Sequence, residues 1–212
     1  KEGRNVQAFE KVTGADLIID DTPNAVTVSC FDPVRREIAR ITLERLVKDG
    51  RIHPARIEEI HKKVTEEINK EMKEAGEKAL YEAGIVGIHS DLVKIVGRLK
   101  YRTSYGQNIL KHSVECAKIA RILAEELGAN IEIAKRGAFF HDIGKALDQT
   151  FGGDHVQVGV DIAKKYGLDS QVIHAIEAHH EGISAESIED HIVAAADAIS
   201  GSRPGARRES TE

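Results

Sequence analysis

Apolar positions recur at steps of three and four along most of this chain, and the exceptions fall in one short stretch near its start. Val6, Phe9 and Val12 share a face over residues 5–13, with Gly14 as a stop. Residues 15–19 and 25–31 are instead β-rich and joined by the polar turn Asp20-Asp21-Thr22-Pro23-Asn24, which predicts two strands. Asp32-Pro33 then predicts the cap and first position of a helix to about Asp49, with Ile38, Ile41, Leu43 and Leu46 inside and Gly50 beyond. Residues 1–50 thus read as a small α+β unit.

From Arg51 to about Ala83, Ile57, Ile60, Val64, Ile68, Met72, Ala75 and Ala79 recur at helical spacing between Glu and Lys residues. That is one long amphipathic helix, entered through Pro54 and closed near Gly84. Its stripe must be covered; a connecting helix lying on the following domain is favoured over a dimer seam. From Ile85 onward the pattern is helical throughout. His112, Cys116, Ile119 and Leu123 share the face of a helix ending at Leu127-Gly128, and Asn130 caps the next, which is expected to carry His141-Asp142 and Lys145 on successive turns. His155 opens a helix ending at Gly167, Ser170 caps another reaching His179-His180, and residues 187–200 carry Asp197. The expected fold is an α+β N-terminal part over 1–50, a connecting helix over 51–84 and an all-α domain over 85–212.

Composition narrows the function. With Lys+Arg 30 against Asp+Glu 35, the 212 residues carry a net charge of −5, so any nucleic-acid contact must be local. Cys30 and Cys116 lie far apart and in no ligand spacing, which points to a reducing compartment and two core thiols. No apolar run approaches the length of a bilayer crossing and no signal peptide is evident. A chain that opens on Lys1-Glu2-Gly3 without methionine and stops on a charged tail reads as a fragment.

The chemistry gathers around His141-Asp142, set in Gly137-Ala138-Phe139-Phe140 and Ile143-Gly144-Lys145. Apolar neighbours on both sides predict burial, where a carboxylate is costly unless a cation or donors meet it. His112, His155, His179, His180 and Asp197 add further candidates, too many for a single tetrahedral ion, so a two-metal site is expected. Imidazole and carboxylate together suit Mn, Fe, Ni or Zn. Arg98, Lys100 and Arg102 precede the first of these helices and Arg203, Arg207 and Arg208 follow Asp197. Together with Tyr101 and Tyr105 they could form a track for a single strand, the alternative being solvated surface.

The order His112, His141-Asp142, His179-His180, Asp197, with Lys145 after the dipeptide, resembles the HD-domain superfamily of metal-dependent phosphohydrolases. Residues 99–108 (LKYRTSYGQN), 152–155 (GGDH), 195–200 (AADAIS) and 203–209 (RPGARRE) are similar to the ribonuclease Y family in particular. Residues 1–50 resemble the later part of a KH domain, with Gly3-Arg4 closing the Gly-x-x-Gly loop that clamps RNA backbone; the first glycine of that loop lies outside this chain. The resemblance implies one divalent ion on His112, His141, Asp142 and Asp197, and a second on Asp142, His155, His179 and His180, with Mg, Mn, Fe, Ni and Zn not distinguished. It implies catalytic roles for Asp142 and Lys145, and RNA contacts from Gly3, Arg4, Arg98, Lys100, Arg102, Arg203, Arg207 and Arg208. The implied activity is endoribonuclease cleavage of single-stranded RNA by metal-activated hydroxide, initiating mRNA decay. A homodimer is implied too, as is a cytoplasmic location, with the full-length family protein on the inner face of the membrane through an N-terminal anchor and among RNA-decay partners. The competing readings are a phosphohydrolase of nucleotides or cyclic dinucleotides and a catalytically silent RNA-binding scaffold.

Overall fold

A computed structural model describes residues 3–19, 21–23, 25–180 and 182–206, with the side chain of Phe151 left aside. Arg207 and Arg208 therefore lie outside the described residues. The chain divides into two compact units, Lys1–Glu71 and Met72–Glu212. The division falls inside a helix, whereas the sequence pattern suggested boundaries at 50 and 84.

In the first unit, α1 (Arg4–Thr13) leads into a hairpin of β1 (Asp16–Ile18) and β2 (Thr27–Ser29), paired antiparallel with Asp16 opposite Ser29. Helix α2 (Pro33–Asp49) begins as the sequence predicts: the Asp32 carboxylate accepts from Val34 N and Arg35 N, and Pro33, lacking an N–H, takes the first position. Phe9, Ala15, Val34, Ala39 and Leu46 are buried, as are Ile57, Ile60, Val64 and Ile68 on α3 (Pro54–Glu82). Those four are the first part of the apolar stripe read from the sequence, which continues through Met72, Ala75 and Ala79.

The second unit is helical. It takes in α3 from Met72, then α4 (Ser90–Arg98), α5 (Ile109–Leu127), α6 (Ile131–Phe140), a short α7 (Asp148–Phe151), α8 (His155–Lys165), α9 (Ser170–Ala178) and α10 (Ile188–Ser202). Helices α3 and α4 cross at backbone contact: a Cβ on Gly76 would stand 2.1 Å from Val93 O, and one on Gly97 would stand 1.8 Å from Met72 O. Leu80, Ala83, Ile85, Leu92, Val96 and Leu99 share one apolar cluster with Ile109, Phe139, Phe140, Ile143, Val172 and Ile176. Ala120, Ala124, Ala134, Ala138, Ala175 and Val193 form a second, where small side chains bring α5, α6, α9 and α10 close together. Among the described residues, no helix is long and apolar enough to cross a membrane.

Three local expectations are corrected. Residues 99–108 are not helical throughout: a single 3-10 turn (Leu99–Tyr101) is followed by a hairpin of β3 (Thr103–Ser104) and β4 (Gln107–Asn108). Its Tyr105-Gly106 tip has both residues at positive φ, 49° and 83°, the turn that suits a tight hairpin. Helix α6 ends at Phe140, so His141 and Asp142 lie past its end and Lys145 falls in a 3-10 turn, Ile143–Ala146. The cap of α9 is Asp169, whose carboxylate accepts from Gln171 N, and not Ser170.

Candidate metal centre

Helix ends and one helix seam assemble the candidate ligands. His112 comes from the first turns of α5 and Asp197 from α10, which packs along it; His141-Asp142 and His179-His180 follow the C-termini of α6 and α9; His155 opens α8. The C-terminal carbonyls of a helix lack intrahelical donors, and here imidazoles supply two. His141 Nδ1 lies 2.7 Å from Ala138 O and His179 Nδ1 lies 2.5 Å from Ile176 O. A carbonyl can only accept, so both rings carry a proton on Nδ1 and turn Nε2 toward the interior.

Gly144 sets the spacing of α8. A Cβ there would stand 1.8 Å from His155 O, so the turn after Asp142 lies directly on the start of α8. His155 Nε2 thereby comes to 3.8 Å from Asp142 Oδ1, with His179 Nε2 4.0 Å from the same oxygen. The other oxygen, Oδ2, lies 3.5 Å from His141 Nε2 and 3.8 Å from His112 Nε2. Asp142, only 2% exposed, therefore turns one oxygen to each of two histidine groups.

The first group is tight. His112 Nε2 is 3.2 Å from His141 Nε2 and 3.1 Å from Asp197 Oδ1, and His141 Nε2 is 3.7 Å from that oxygen. Donor atoms about 2.1 Å from one ion stand roughly 3 Å from each other, so these separations suit a shared cation. The second group is His155, His179 and His180, the last exposed, with ring centroids 5.2 Å apart for His155 and His180 and 4.0 Å for His179 and His180. Asp142 Oδ1, His155 Nε2 and His179 Nε2 are buried without a hydrogen-bond partner, a cost that a cation between them would remove. The residues present thus fit a metal, and the cluster can hold one.

The electrostatics point the same way. Burial pushes the Asp142 carboxyl up, but His141 and Lys145 more than offset it and hold it well below the usual range. Asp197 is likewise lowered, burial being outweighed by His112 and His141. Burial lowers His141, yet Asp142 and Asp197 raise it overall, so the site draws in positive charge even without an ion. Burial, with positive His141 nearby, takes His179 down to about 3. Cys116 Sγ lies 3.5 Å from His112 Nδ1, but burial and Asp197 raise its thiol, which leaves it the core thiol expected from the sequence.

Lys145 Nζ reaches Asp142 Oδ2 at 2.8 Å from a largely buried position. The basic residues before α5 brace that turn: Arg98 Nε donates to Ala146 O at 3.0 Å, and Arg102 Nη2 meets Asp148 Oδ2 at 2.9 Å. Arg203 Nε meets Glu115 Oε1 at 2.6 Å. Each of these guanidinium groups has a partner; Lys100 is exposed and its Nζ sits over the Tyr101 ring. Gly3 and Arg4 open α1 in the other unit. Reading the sequence missed Ser200 and Glu115, which reach His112 from behind: Ser200 Oγ is 2.9 Å from His112 Nδ1 and donates to Glu115 Oε2 at 2.7 Å. Ser200 lies within the family-like stretch 195–200, which gives it no role of its own, and each of the two stands three residues from a candidate ligand on its own helix.

The HD-domain family model matches residues 109–202, the stretch that holds every member of the cluster. Over all 212 residues the chain is 57% identical to a protein named ribonuclease Y from Chloroflexus aurantiacus, 59% to one from Syntrophomonas wolfei and 57% to one from Acidothermus cellulolyticus. These alignments take in 100% of this chain and 42%, 41% and 43% of those proteins, so it spans less than half the length of the curated relatives it matches. No solved structure matches.

Proposed function

The chain is homologous over its whole length to part of the ribonuclease Y family and carries an HD domain over residues 109–202, and on that premise we propose that it hydrolyses phosphodiester bonds of single-stranded RNA. His112, His141, Asp142 and Asp197 would hold one divalent ion, and Asp142, His155, His179 and His180 a second. Bound there, such ions supply charge to polarise a phosphate and lower the pKa of water toward neutrality. The observation that carries the reading is the division of labour at Asp142, whose two oxygens face separate histidine groups and whose Oδ1 has no donor.

The remaining residues position the substrate. Lys145 has three donors and gives one to Asp142, which leaves two for a phosphate oxygen at the edge of the site. Arg98 and Arg102 keep that lysine's turn in place, and Lys100 joins Arg207 and Arg208 as the candidate contacts to RNA backbone. The helix, hairpin and helix of residues 4–49 are consistent with the later part of a KH module, with Gly3 in the left-handed region at the point where a Gly-x-x-Gly loop would close. That module would add backbone contacts away from the metal centre.

The test is an assay of the purified chain on labelled single-stranded RNA, on nucleotides and on cyclic dinucleotides, with and without chelator. Cleavage of RNA alone, lost with chelator and restored by a divalent ion, is the expected result. Turnover confined to nucleotides or cyclic dinucleotides would replace the polymer with a small substrate; binding of RNA without any turnover would make the chain a scaffold.

A further inference from the structure

Helices α5 and α10 meet through two pairs of residues, each three apart on its helix: His112 and Glu115 on one, Asp197 and Ser200 on the other. Ser200 is fully buried. Its Oγ donates to Glu115 Oε2 at 2.7 Å, faces His112 Nδ1 at 2.9 Å and accepts from Gln107 Nε2 at 3.3 Å. Glu115 Oε1 in turn holds Arg203 Nε at 2.6 Å. A hydroxyl has one proton, and a carboxylate can only accept. With the Ser200 proton committed to Glu115, Oγ can only accept from His112, whose own proton must then sit on Nδ1.

We propose that Ser200 and Glu115 are positioning residues that fix the tautomer and ring orientation of His112, so that its Nε2 lone pair faces the metal centre. This rests on the reading of His112 as a metal ligand. The competing arrangement is visible in the same geometry: neutral His112 with its proton on Nε2 would donate to Asp197 Oδ1, 3.1 Å away, and tie up two ligand atoms at once. The Ser200–Glu115 link selects against that arrangement, and Arg203 keeps Glu115 in place from the protein surface. Arg203 thereby acquires a role that does not require contact with substrate.

Metal-free samples of the 212-residue chain and its Glu115→Gln, Ser200→Ala and His112→Ala variants would be titrated with Zn2+ or Mn2+ against a competing chelator. The His112 tautomer would be read from its ring 15N shifts. Loss of an outer partner of a metal-binding histidine typically weakens binding about 10- to 100-fold, and that loss is expected for Glu115→Gln and Ser200→Ala, with His112 shifting toward the Nε2–H form. Ser200 is buried and its variant could fail to fold, so Glu115→Gln, which keeps the side-chain shape at a half-buried position, carries the test alone if needed. Affinity within about twofold of the parent together with an unchanged tautomer would overturn the proposal. If His112→Ala itself leaves metal affinity unchanged, the ligand reading has failed and the positioning role falls with it; if His112→Ala loses metal while the other two bind normally, only the positioning role is wrong.

Discussion

His155 Nε2 lies 3.8 Å from Asp142 Oδ1, and neither atom has a hydrogen-bond partner although both are buried. A cation between them would satisfy both of these buried polar atoms at once. His155→Ala is therefore expected to reduce bound metal from two ions per chain to one and to lower RNA cleavage, while the ion on His112, His141 and Asp197 stays. Metal analysis after gel filtration decides it. An unchanged metal content would return His155 to a structural role.

Asp142→Ala removes the oxygens that face both groups and should abolish cleavage and lower metal content at both places. The far-UV circular dichroism should remain that of the parent, because the carboxylate caps no helix and belongs to no apolar cluster. Retained metal and retained activity together would remove Asp142 from the centre of the site.

Gly144→Ala places a methyl where His155 O and Gly159 N already stand, at 1.8 and 2.7 Å from the new Cβ. Both are backbone atoms of α8, so the helix start must move. Overpacking of this kind costs about 1–3 kcal/mol, and urea unfolding should register it. The same shift carries His155 away from Asp142, so metal should be lost from the second group before the first. Unchanged stability and stoichiometry would mean that the contact yields without displacing α8.

Burial holds His179 neutral down to about pH 3, whereas an unfolded histidine titrates near 6.5. Below about pH 6.5 the unfolded chain thus takes up a proton that folded His179 refuses, so metal-free stability falls as pH falls through that window. The contribution of this residue approaches about 1.4 kcal/mol per pH unit. His141 is shifted upward and acts in the opposite sense, so the comparison needs a variant. Urea midpoints of the parent and His179→Gln, measured in chelator at pH 7, 6 and 5, should show the parent losing more stability than the variant as the pH drops. Parallel curves would contradict a neutral His179.

Much of this fold was legible because its signals are local. Asp32-Pro33, Asn130 and the residues after Leu127 mark helix ends through groups that bond within three or four positions, and those ends lie where the pattern put them. The candidate ligands were legible because a histidine or aspartate amid apolar residues stands out in any chain. The Thr103–Asn108 hairpin was not, since strands of two residues are too short to show an alternation. The carboxylates against Arg102 and Arg203, Asp148 and Glu115, lie 46 and 88 positions away, too far for a local pattern to show. Ser200 and Glu115 were hidden for the same reason: their meaning depends on His112, and only the packing of α5 on α10 brings the three together.

The reciprocal contacts of Gly76 with Val93 and of Gly97 with Met72 bear on where this domain can be cut. The stretch matched by the HD-domain family model begins at residue 109, yet the backbone interlock and more than a third of the described apolar cluster beneath the candidate metal centre come from residues 72–99. Two lengths are thus in play, the matched stretch and the packed unit that supports it, and the second is longer by about three dozen residues. A gene segment trimmed to the motif would keep every candidate ligand and lose the floor beneath them, so the shortest autonomous version of this centre starts no later than Met72.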